Sequence, residues 1–67
     1  MTQADFLKYL KESHAEEQKD IDKYMEMAKN APTPAMRNML YEIAKDEVMH
    51  HAKLECMVIT MEGSMSS

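Results

Sequence analysis

The chain has no tryptophan, one glycine, one cysteine and two prolines among its 67 residues. Each shortage excludes something. A single cysteine, Cys56, forbids an intrachain disulfide and any four-cysteine metal knuckle. The first thirty residues hold no continuous apolar stretch, so neither a secretory leader nor a membrane span is expected. A soluble protein of a reducing, cytoplasmic compartment is the expectation. Eight basic residues are outweighed by twelve acidic ones, for a net charge of −4. The basic residues are scattered, which is not the footprint of a nucleic-acid binder. Aromatic residues are few: Phe6, Tyr9, Tyr24 and Tyr41.

Because glycine and proline are so rare, the chain has few places to turn. Pro32 and Pro34 lie together, and Gly63 opens a Gly-Ser-Met-Ser-Ser ending. Two helices follow, over roughly 2–30 and 34–62, with 63–67 expected as a disordered tail. Thr2 with Asp5 reads as a capping box. Thr33 and Pro34 read as N-cap and first helical residue. Asn30 is a candidate for the left-handed position that ends a helix. The fold class is all-α, an antiparallel helical hairpin spanning 1–62 as one domain.

Apolar periodicity gives each helix a seam whose steps alternate four and three. On the first it runs Gln3, Leu7, Leu10, His14, Glu17, Ile21, Tyr24, Ala28. On the second it runs Met36, Leu40, Ile43, Glu47, His50, Leu54, Met57, Met61. In a hairpin pivoting at Pro32, facing residue numbers sum to about 64. Tyr24 then meets Leu40 and Leu10 meets Leu54. Glu17 meets Glu47 and His14 meets His50 in two central layers.

Ionisable groups in an apolar seam are costly unless something neutralises them. Glu47-Val48-Met49-His50 is a Glu-x-x-His motif, which projects a carboxylate and an imidazole from one helix face. Glu17 supplies the opposing carboxylate. Such a motif is common by chance on solvated helices; its place in the seam opposite Glu17 is what raises it to a metal site. Mixed carboxylate and imidazole donors suit iron, manganese or zinc better than copper(I) or calcium. The nine methionines read as adaptable packing rather than a copper track.

So short a chain buries little surface by itself. A homodimer closing into a four-helix bundle is the simplest remedy. A two-fold axis near the central layers would gather four glutamates and two histidines, whose four negative charges match two divalent cations. A second apolar strip on the outer helix two, with Tyr41, Val48, Ala52 and Ile59 beside Cys56, suggests contacts of a higher oligomer.

Over residues 5–60 the chain resembles half of a ferritin-like, rubrerythrin-type domain. The spacing of Glu17 and Tyr24 is similar to the Glu-x6-Tyr of that family's first helix. The run from Glu42 to His50 is similar to its second ligand helix. Full-length members carry two such halves in tandem. The thirty-residue interval from Glu17 to Glu47 also resembles encapsulated ferritins, which build a diiron site between two subunits. The resemblance implies dinuclear iron held by Glu17, Glu47 and His50, with Glu47 bridging. It implies ferroxidase or peroxide- and oxygen-reducing oxidoreductase activity, with an external electron donor for peroxidase turnover. No segment resembling an encapsulin-targeting peptide is present, so a capsid partner is not expected.

Three further residues are candidates around that site. Asp46 could orient a ligand histidine, or be a surface charge. The Tyr24 hydroxyl could reach a ligand carboxylate in a catalytic role, or Tyr24 could be core packing. His14 could be an added ligand or proton relay, although a packed polar residue is the plainer reading. His51 reads as a flank residue. The competing non-enzymatic function is a structural or carrier bundle holding zinc or iron, and a metal-free helical interaction protein comes third.

Overall fold

The computed structural model describes residues 1–66 and shows two helices, α1 (Gln3–Lys29) and α2 (Pro34–Ser66). They pack against each other along a body 51 Å long and 15 by 14 Å across. This is the expected helical hairpin. Among the described residues no helix is long and apolar enough to cross a membrane.

The helix starts follow from their capping side chains. The Thr2 hydroxyl accepts from the Asp5 amide at 3.1 Å, and the Asp5 carboxylate accepts from the Thr2 amide at 3.3 Å. Both halves of the capping box are therefore made. Thr33 accepts from the Met36 amide at 3.1 Å, with Pro34 as the first helical residue. Each such cap stabilises its helix by about 1 kcal/mol.

The ends differ from expectation. Asn30 has φ −107°, and no described residue, Gly63 included, has a positive φ. Its side-chain amide instead donates to the Glu26 carbonyl at 2.9 Å, satisfying an orphan carbonyl without a left-handed turn. Helix α2 does not stop at 62 but runs through Gly63 to Ser66. One glycine costs a helix about 1 kcal/mol and breaks no hydrogen bond. The disorder expected at Ser67 lies outside the described residues.

The α1 seam is as expected from Leu7 to Ala28, while Gln3 is exposed. The α2 seam is displaced to one side. Its covered residues are Leu40, Ala44, Glu47, His51, Leu54 and Val58, continuing to Met61. The steps still alternate four and three. Met36, Ile43 and Met57 are instead 50%, 40% and 43% exposed, and line an open face of the hairpin. The cause is size. Close approach of two helix backbones favours small side chains, and two of the three buried apolar residues among those described, Ala28 and Ala44, are alanines, the third being Leu10. The larger Ile43 and Met57 fit beside the seam rather than within it.

Candidate metal centre

Two helices build the central group. Helix α1 presents Glu17 on its inward stripe. Helix α2 presents Glu47 on its own, with His50 one turn further on and toward the open face. The His50 Nδ1 lies 3.9 Å from Glu17 Oε2 and 3.8 Å from Glu47 Oε1. The Glu17 and Glu47 side chains are 23% and 19% exposed, whereas His50 is 54% exposed. The layer containing Glu17 and Glu47 is therefore as expected. His50 belongs to that same group rather than to the next layer.

The electrostatics are those of one carboxyl, Glu47, held against another. Glu47 is raised above its ordinary value of 4.5. The first cause is a hydrogen bond with the Glu17 side chain, which a protonated Glu47 donates. Loss of solvent and repulsion by the Glu17 charge add to it, Asp20 contributes a little, and His50 acts in the opposite direction. Glu17 Oε2 is shut off from solvent and accepts no hydrogen bond. Such an oxygen lacks a positive partner.

The three side chains fit a divalent metal ion. One donor atom from each lies within 4.8 Å of the others, so together they form a group that could hold one. The donors are two carboxylates and an imidazole, which suits iron and also manganese or zinc. A cation there would relieve the crowding that raises Glu47, and would partner the orphaned Glu17 oxygen.

The other expected site residues are placed less closely. Tyr24 is half-buried on the α1 seam, with the Lys23 ammonium 4.8 Å from its ring centre. It makes no hydrogen bond to Glu17 among the described residues. Asp46 is exposed and forms no hydrogen bond or ion pair with a described residue, so it does not orient His50 within the hairpin. His14 does not face His50. It stacks on His51, with ring centres 3.8 Å apart and planes tilted by 32°. His51 is thus a seam residue, not a flank. The displacement of the α2 stripe explains both changes.

Two acidic neighbours escaped the sequence reading. Asp20 acts on Glu47 from one turn beyond Glu17. Glu55 joins His14 and His51 in a second group of donor atoms within 4.8 Å. Both were visible as spacings, three residues from Glu17 and four from His51.

Comparison with known proteins agrees with this architecture. No curated protein and no solved structure gives a significant match. A family profile described as Rubrerythrin matches residues 8–66. That match spans both helices and all three residues of the central group, and the chain belongs to the rubrerythrin family.

Proposed function

We propose that the chain is a non-haem diiron carboxylate protein, that its site is completed across a homodimer, and that it oxidises iron(II) with hydrogen peroxide or oxygen. The observation that carries this reading is the position of Glu17, Glu47 and His50. They converge at the centre of the hairpin and border its open face. A second copy packed on that face by a two-fold axis would bring four glutamates and two histidines together.

In this reading Glu17 and Glu47 would hold the metal, with Glu47, facing its own copy across the axis, shared between the two halves of the site. His50 binds as the neutral imidazole, so its ring must shed any proton before it can serve. Iron(II) held by these residues would supply the electrons for reducing hydrogen peroxide or oxygen, one from each ion oxidised to iron(III). The exposed apolar side chains on either side of the group, Ile43 and Met57, exclude bulk water once the second copy covers them. Tyr24 and Asp46 are assigned as supporting residues that act when the dimer is assembled. The 67 residues hold one cysteine and cannot themselves form a four-cysteine electron-transfer centre. Repeated peroxide reduction would draw on an electron donor outside these residues, and oxidation of iron(II) as substrate is the favoured activity.

Aerobic iron(II) titration of the full chain, followed by ultraviolet absorbance, tests the proposal. The wild type should oxidise iron much faster than buffer, and Glu47→Ala should lose at least tenfold in initial rate while keeping its helical circular dichroism. Tight iron or zinc binding without accelerated oxidation would replace catalysis with a structural or carrier role. Absence of metal after reconstitution would sink both.

A further inference from the structure

We propose that His14, His51 and Glu55 form a second, mononuclear site that binds one zinc(II)-class transition-metal ion per chain. The site staples α1 to α2. Its residues are all distinct from those of the central group. Glu55 lies about 140° around α2 from His50, five residues on at roughly 100° each. The second site therefore faces away from the open face that the proposed dimer covers.

The donors come from both helices. His51 and Glu55 are four residues apart on α2, a spacing that aims two side chains at one point above a helix. His14 crosses from α1 and stacks on His51 at 3.8 Å. One ligand atom from each residue lies within 4.8 Å of the other two. Rotation of the exposed Glu55 side chain and a turn of the His51 ring would bring the three donors to ligand distances.

A second observation points to a ligand. The Nε2 atom of His14 is shut off from solvent and has no hydrogen-bond partner. An imidazole packed for shape alone would leave that nitrogen unsatisfied at a cost of about 1–3 kcal/mol. A hydrogen on that nitrogen offers no remedy, because it would find no acceptor either. A metal ion shared between His14 and His51 uses nitrogen lone pairs and places positive charge beside Glu55. Glu55 makes no ion pair or hydrogen bond with a described residue, so it is free for this role. Two imidazoles and one carboxylate make a softer donor set than the carboxylate-rich centre, and suit zinc.

Zinc titration calorimetry on the full-length Glu17→Gln/Glu47→Gln/His50→Gln variant isolates the second site from the central one. One zinc per chain is expected. Adding His51→Ala or Glu55→Gln should weaken that binding at least tenfold, and zinc should raise the melting temperature of the triple variant only while His51 and Glu55 are present. A helical triple variant that binds no zinc overturns the proposal. Should that variant not fold, imidazole nitrogen resonances of the labelled wild type decide. At saturating zinc the ring nitrogens of His14 and His51 should shift along with those of His50; a shift confined to His50 overturns the second site and leaves the central one standing.

Discussion

Glu47 carries a proton more tightly than an isolated carboxyl does, and the sign of that effect sets a test. Its ordinary value is 4.5, and the neighbouring Glu17 raises it in the folded chain. A carboxyl raised on folding stabilises the fold while it is protonated. That contribution is full below the ordinary value and disappears as pH rises through the folded one. In metal-free chain, urea unfolding of wild type and Glu47→Gln should therefore diverge above about pH 4.5. The glutamine variant stays neutral and should gain relative stability as pH rises. A constant difference from about pH 4 to pH 7 would mean that Glu47 is not raised by its neighbours in the folded chain. Saturating metal should reverse the trend for the wild type, because protons compete with metal for Glu17, Glu47 and His50.

At the scale of the helix, one stripe was legible and the other ambiguous. On α1, residues from Leu7 to Ala28 offer only one set of apolar positions at the right spacing, and that set is the seam. On α2 two sets overlap. They share Leu40, Glu47, Leu54 and Met61. One adds Met36, Ile43, His50 and Met57; the other adds Ala44, His51 and Val58. Hydrophobicity favours the first and close packing favours the second. The hairpin takes the second because a backbone nearby leaves room for Ala44 but not for a larger side chain. Glu17, Glu47 and His50 were still brought together, since Glu47 belongs to both sets and His50 sits one turn along. The pairing of His14 with His51 was lost, because it depends on which set faces inward. Ala44→Leu should therefore destabilise the hairpin by about 1–3 kcal/mol through overpacking. Ile43→Leu, on the open face, should change it by a few tenths of that in the monomeric chain. Equal losses at both positions in chemical denaturation would show that the inner seam is not the one containing Ala44.

The whole molecule is a hairpin with a thin core. Leu10, Ala28 and Ala44 are its buried apolar residues among those described, while Met36, Ile43 and Met57 remain open to solvent. Two helices with so little buried between them have reason to associate. The proposed metal chemistry supplies another reason, because one hairpin offers two carboxylates and one imidazole, fewer donors than a dinuclear centre would take. Both point to the same face. If a two-fold dimer covers it, any substitution there acts twice, once from each copy. Ile43→Glu or Met57→Glu would then remove two apolar contacts of about 1.5 kcal/mol or more each, raising the dimer dissociation constant roughly a hundredfold or more. Sedimentation velocity across a range of chain concentrations should show a dimer for the wild type and monomer for each variant, with helical content unchanged because these side chains are half-exposed in the single hairpin. Iron oxidation should fall with the dimer, and raising the concentration of either variant should restore part of both. A wild-type chain that oxidises iron at full rate while sedimenting as a monomer would place the complete site within one hairpin, and would remove the reason for Ile43 and Met57 to face outward.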